Sequence, residues 1–208
     1  MTRSKFVFIL IALCLPAFLH ASEIRFSGGY TRVSLQDSDR QIELSGGAAA
    51  STDSISIEAG KILLYGPDYR YVDCTGGVNA QEKEHSLAIS AADIFYDREE
   101  GYLLSDGWIE IEDTENEAQL SGSWFEYSLE TRMMILQMQA SISKVTQRGL
   151  LVCTAHSIEY NAGQQTLSLR GNASVTWGSD SYRAAHITVN IETEEVILQG
   201  SISGEING

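Results

Sequence analysis

Apolar and polar residues alternate along most of the chain, in short runs separated by polar, glycine-containing breaks. The clearest stretch runs from Leu87 to Ile111, LAISAADIFYDREEGYLLSDGWIEI. In its first half Ile89, Ala92, Ile94 and Tyr96 are mostly two apart, with Ser90, Asp93 and Asp97 between them. That is the period-two pattern of a half-buried strand. Asp97-Arg98-Glu99-Glu100-Gly101 supplies a turn. Leu104, Trp108, Ile109 and Ile111 mark a second strand, and Asp106-Gly107 inside it predicts a bulge or bend, since a glycine within a strand has no side chain to pack.

A degraded copy of this unit can be laid over most of the sequence. The apolar residues ending each first strand are Leu35, Leu64, Tyr96, Tyr127, Tyr160 and Val189, with partners two before them at Val33, Ile62, Ile94, Phe125, Ile158 and Ile187. Successive anchors are 29, 32, 31, 33 and 29 residues apart, so the period is near thirty. Gly46, Gly77, Gly107, Gly171 and Gly200 follow their anchors by 11, 13, 11, 11 and 11 residues. The fourth copy has Met138 at that place, in the run Met133-Met134-Ile135-Leu136-Gln137-Met138, and is recognisable only by its first strand. A thirty-residue, two-strand unit cannot bury its apolar face alone, so neighbours must stack and share one interior. We therefore expect one all-β domain over residues 22–208 with about two strands per repeat.

The first 21 residues stand apart from this pattern. Arg3 and Lys5 precede the apolar run Phe6 to Leu15, and Ala21 offers a small residue before Ser22. The apolar run is short for a bilayer-spanning helix, which needs roughly 20 residues, so residues 1–21 read as a cleaved export signal. Lipid attachment at Cys14 is the less favoured alternative, because Ile11-Ala12-Leu13-Cys14 only loosely approximates a lipoprotein processing site. The whole chain carries 14 basic and 28 acidic residues; without Arg3 and Lys5 the balance is 12 against 28, a formal charge of −16. Such acidity argues against a nucleic-acid partner and against docking on an anionic membrane face. Its plain consequence is solubility through self-repulsion.

Chemistry-bearing residues are sparse. His85, His156 and His186 fall in different repeats with no second ligand at metal spacing, and no nucleophile elbow, zinc-protease motif or phosphate-cradling loop occurs. No catalytic residue, cofactor or metal is expected. Asp93 and Asp97 flank Tyr96 as a carboxylate pair would, yet the alternation places them on the outer face, where exposure is the default. Glu110 to Glu117 lacks the register of a calcium loop and reads as a solvated hairpin turn. Cys74 and Cys153 lie in the second and fifth copies, too far apart in a stack for a disulfide, which favours two separate buried thiols.

Ala91-Ala92-Asp93-Ile94-Phe95-Tyr96-Asp97, followed ten residues on by Gly107-Trp108-Ile109, resembles the OstA/LptA-like domain of lipopolysaccharide transport. The resemblance covers essentially the whole chain after residue 21. It departs at the motif aspartate, which becomes Lys61, Trp124, Ser157 and His186 in other copies. It implies a periplasmic protein with an open, twisted β-jelly-roll whose interior carries the acyl chains of lipopolysaccharide or a related glycolipid between inner and outer membranes. It also implies inner- and outer-membrane transport components as partners through edge-strand pairing, and a head-to-tail homo-oligomer. On that basis Ile62, Leu64, Ile94, Tyr96, Phe125, Tyr127, Ile158, Tyr160, Ile187 and Val189 are the expected groove lining, with Met133, Met134 and Met138 as an adaptable wall or as core gap-fillers. Two other classes repeat strands: a β-solenoid binding or acting on cell-envelope polysaccharide, and a membrane β-barrel. The sequence shows no ladder of catalytic acids for the first and no paired aromatic girdles for the second.

Overall fold

A computed structural model describes residues 23–36 and 40–207; residues 1–21, expected to act as an export signal, and Cys14 within them lie outside the described residues. Fourteen strands follow one another: β1 (Arg25–Ser27), β2 (Tyr30–Ser34), β3 (Gln41–Ser51), β4 (Ile55–Tyr65), β5 (Tyr71–Glu82), β6 (Leu87–Asp97) and β7 (Tyr102–Asp113), then β8 (Ala118–Ser128), β9 (Met133–Thr146), β10 (Gly149–Asn161), β11 (Thr166–Trp177), β12 (Asp180–Asn190), β13 (Glu195–Gln199) and β14 (Ser203–Glu205). From β3 to β13 each strand pairs antiparallel with the next, while β1 and β2 both pair with β3 and β14 pairs with β12. The one helical turn among the described residues is a short 3-10 segment, Pro67–Tyr69.

Every strand from β3 to β12 is interrupted near its middle, and the interruptions line up. In β4 the buried positions are Ile55, Ile57 and Ala59, then Ile62 and Leu64; in β6 they are Leu87, Ile89 and Ala91, then Ile94 and Tyr96. The phase slips by one residue, so both halves keep their apolar side chains on one face of the sheet. Ala92, which simple alternation assigns to the core, is therefore exposed, and Ala91 is buried instead. The odd-numbered partners carry one residue more than the even strands there, seen as register shifts at Ser45/Ala48, Thr75/Val78 and Arg170/Ala173. A row of bulges bends the sheet along a single line.

The result is two layers folded from one sheet. The first holds β1, the second halves of β3, β5, β7, β9 and β11, the first halves of the even strands, and β14. The second holds β2, the remaining halves and β13. A single apolar cluster from Ile42 to Val189 fills the space between them. At about 25 cal/mol per Å² of apolar surface, this shared interior is the main term holding the layers together.

Two bulges differ from expectation. Met138 and Gln139 have φ of 57° and 65°, matching Gly46-Gly47, Gly76-Gly77, Gly171-Asn172 and Gly200-Ser201, all with φ above 50°. The fourth repeat thus has the same two-residue left-handed bulge as the others, built without glycine. Gly107, by contrast, bulges without a positive φ.

The far edges of the two layers, opposite the bend, are rows of hairpin turns, and buried carboxylates and half-buried amides cap them. Glu82 accepts from the backbone N–H of Glu84 and His85 at 2.9 and 2.7 Å, and Asp97 from those of Glu99 and Glu100 at 3.0 and 3.2 Å. Asp113, Asn161 and Asn190 do the same for Asn116, Gln164 and Thr193, each at 2.9 Å. Asp97 is thus not the exposed carboxylate that alternation implies: it is buried, with Arg70 2.6 Å away. Burial alone pushes its carboxyl up; the Arg70 guanidinium and the two N–H donors outweigh this and hold it below the usual range.

Neither end of the sheet is a single long strand. Gly28-Gly29 splits the first edge into β1 and β2, one per layer, and Gly200 to Ile202 splits the last into β13 and β14. Leu35, the first repeat's anchor, lies beyond β2 and is 72% exposed, whereas the anchors of the other five repeats are buried.

Candidate functional site

The ten expected lining residues do come together on one face. Ile62, Leu64, Ile94, Tyr96, Phe125, Tyr127, Ile158, Tyr160, Ile187 and Val189 all project inward from the second layer, and none is more than 4% exposed. Phe125 and Tyr127 stack with ring centroids 6.3 Å apart. The side chains fill the interior: the void between the layers near the first edge amounts to about 10 Å³, bounded by Ile24, Ala50, Ile55 and Ile57 on one side and by Leu64 and Tyr96 on the other. Of the three methionines expected as an adaptable wall, Met134 is buried in the interior, Met133 is half-buried on the opposite face of its strand, and Met138 sits at the bulge with 43% exposure.

Side chains close the seam between the two rows of turns. Arg132 Nη2 in the second layer lies 3.2 Å from Glu115 Oε2 in the first. Gln165 Nε2 donates to Asn116 Oδ1 at 2.7 Å and to the Tyr160 hydroxyl at 3.3 Å. The Tyr96 hydroxyl interacts with the Ser54 side chain across the same gap. The sequence signal for this seam was present: three tyrosines at successive anchors place their hydroxyls one above another. Their turn partners could not be found from alternation.

The two ends of the interior differ. At the last repeats Trp177 is fully buried, with its Nε1 donating to Thr146 Oγ1 at 2.9 Å and the Arg148 guanidinium 5.4 Å from its ring centroid. Arg148 also pairs with Asp180, whose other oxygen accepts from the Asn207 backbone N–H at 2.9 Å. At the first edge the inward-facing Phe26 and Val33 remain 42% and 48% exposed. The first edge ends in an uncovered apolar surface, whereas at the last edge the inward-facing Val196 and Leu198 are half-buried.

The remaining chemistry is structural. Cys74 and Cys153 are free and buried, and burial pushes both thiols up to about 12. Asp93 Oδ1 accepts from the Asp106 backbone N–H at 3.3 Å, which braces the β6–β7 bulge. Glu82, Glu84 and His85 bring ligand atoms within 4.8 Å of one another, but both Glu82 oxygens already cap their turn. Among the described residues no helix is long and apolar enough to cross a membrane.

A single antiparallel meander, bent once over an apolar interior and, among the described residues, unpaired at both ends, defines an open β-jelly-roll. A family model described as LptA/(LptD N-terminal domain) LPS transport protein matches residues 31–195, and the chain belongs to that family. Among solved structures the chain is similar to that of LptH, "the LptA homologous periplasmic component of the conserved lipopolysaccharide transport device from Pseudomonas aeruginosa", at 10% identity and a TM-score of 0.34, covering 89% of this chain and 96% of that one. No curated protein matches the chain.

Proposed function

We propose that this protein is a periplasmic component of lipopolysaccharide transport, which shields the acyl chains of lipopolysaccharide or a related glycolipid between the inner and outer membranes. The role is carriage, not catalysis, and follows export directed by residues 1–21. The observation that carries it is the continuous apolar interior with its ten inward-facing side chains, closed along the seam by a handful of polar contacts. Each methylene that replaces water contact with this interior contributes about 0.8 kcal/mol, so a short run of them gives useful yet reversible holding. Entry requires the seam contacts to part and the two layers to separate about the line of bulges.

The unpaired edges support the second half of the reading. β1 and β2 at one end, and β13 and β14 at the other, are proposed to extend the sheet into inner- and outer-membrane transport components or into further copies of the chain. A head-to-tail contact of this kind is heterologous and yields filaments, not closed dimers. Phe26 and Val33 would be covered by it.

A photo-crosslinker at Phe125, introduced into the protein in cells, is expected to capture glycolipid. Capture from Glu126, on the opposite face of β8, with none from Phe125 would overturn the assignment of the interior as the lipid site.

A further inference from the structure

Three tyrosines line the inner side of the seam, and their hydroxyls are not equivalent. Tyr160 accepts from Gln165 and Tyr96 interacts with Ser54, but the Tyr127 hydroxyl has no partner, although the residue is only 1% exposed. Buried phenols are ordinarily satisfied, because an unpaired buried donor keeps its full desolvation cost. A second orphan belongs to a side chain whose charge the phenol feels. Arg132, at the end of the turn that follows β8, spends Nη2 on Glu115 and leaves Nε buried without an acceptor. Tyr127 senses the charges of Glu82, Arg132 and Asp113, which places its hydroxyl at the hairpin ends and not deep in the core. Burial pushes the phenol up, so the hydroxyl is a neutral donor at any physiological pH.

Two donors without acceptors therefore lie on neighbouring side chains where the apolar interior reaches the seam. Such a pair suits a ligand that is hydrocarbon at one end and carries an oxygen acceptor at the other. We infer that Tyr127 Oη and Arg132 Nε form a subsite for the carbonyl or carboxylate oxygen of a long acyl chain whose hydrocarbon lies along Phe125 and its inward-facing neighbours. This rests on the lipid-carrier reading and adds to it a fixed depth: the chain's first carbon sits at the seam, between the turns at 114–117 and 129–132. Both a free fatty acid and an ester-linked acyl group of a glycolipid present that oxygen.

The test uses the mature protein and three twelve-carbon probes, dodecanoate, methyl dodecanoate and dodecane, each displacing a fluorescent apolar dye. The wild-type protein is expected to bind the two oxygenated probes more tightly than dodecane. Tyr127→Phe should weaken them about five- to tenfold, the worth of one hydrogen bond, and leave dodecane unchanged. Arg132→Met should act more strongly on dodecanoate than on the ester. Equal losses for acid and ester in Tyr127→Phe point to an ester-linked acyl group as the natural ligand; a loss confined to dodecanoate points to a free fatty acid. Tyr102→Phe, on the outer face of β7 beside Glu126, should leave the selectivity intact. Without ligand, Tyr127→Phe should melt no lower than wild type, because it removes an unsatisfied donor. If dodecane binds and Tyr127→Phe changes no affinity, the subsite is wrong while the carrier reading stands. If no probe displaces the dye, both fall together.

Discussion

The bulge in β9 allows a direct measurement of what its backbone costs. Met138 holds φ at 57° where Gly46, Gly76, Gly171 and Gly200 occupy the equivalent places of other repeats. A residue with a Cβ is disfavoured in this left-handed region by roughly 1–2 kcal/mol. Glycine avoids that penalty but gives back about 0.5–1 kcal/mol through the greater freedom of its unfolded chain. Replacing Met138 by glycine alone would mix this difference with the packing of a side chain that is more than half covered. Comparing Met138→Gly with Met138→Ala removes that term, since both lose the thioether. Glycine should therefore be the more stable of the two by about 0.5–1 kcal/mol, a shift of roughly 1–4 °C in melting midpoint for a chain of this size. At Ser141, three residues on and in regular strand conformation, the order should reverse, with alanine above glycine. Urea unfolding followed by tryptophan fluorescence gives both differences. An alanine variant at position 138 that equals or exceeds the glycine variant would refute the account of the bulge.

Three further outcomes follow from described contacts. The Asp97 carboxyl is depressed in the folded state, so its stabilisation is complete above the unfolded value of about 3.9 and is lost as pH falls through the lower folded value; Arg70→Ala should flatten the acid limb of a stability–pH curve while leaving its shape above pH 6 unchanged. Cys74 and Cys153 should resist a thiol reagent in the native protein and both react in denaturant, and labelling of either at the native rate of an exposed thiol would contradict their burial. Phe125→Ala should cost about 3–5 kcal/mol in urea unfolding, and a loss below 1 kcal/mol would mean that the interior is not packed around it.

Much of this architecture was legible because apolar side chains report which face a strand buries. The pairs Ile62/Leu64, Ile94/Tyr96, Phe125/Tyr127, Ile158/Tyr160 and Ile187/Val189 carry the repeat and also the interior. Backbone sign is less visible. Met138 breaks the glycine spacing without breaking the bulge, because the surrounding ladder imposes a left-handed conformation that its own chemistry disfavours. Carboxylates mislead in another way. Asp97 looks like an outer-face residue, yet it ends its strand and turns back to the N–H groups two and three residues ahead, as Glu82 does. An acidic or amide residue closing a strand just before a four-residue turn was the available signal. A proline at Ser201, placed to block the last edge, is ruled out by the same backbone effect: φ there is 51°, and proline is held near −65°. Val33→Lys, an inward-pointing charge on the open edge, is the usable substitute.

Strand order in the sheet is strand order in the chain, from β3 through to β13. Each ladder is therefore closed by one short hairpin, and no pairing waits for a distant segment to arrive. For an all-β protein this keeps contacts local, and local contacts favour rapid folding. It also means that the sheet can come apart as it was built, one hairpin at a time from its termini, with the middle repeats the last to exchange their amide hydrogens. The outermost hairpins, the ones available for joining to another chain, are then also the ones whose loss disturbs the rest of the fold least.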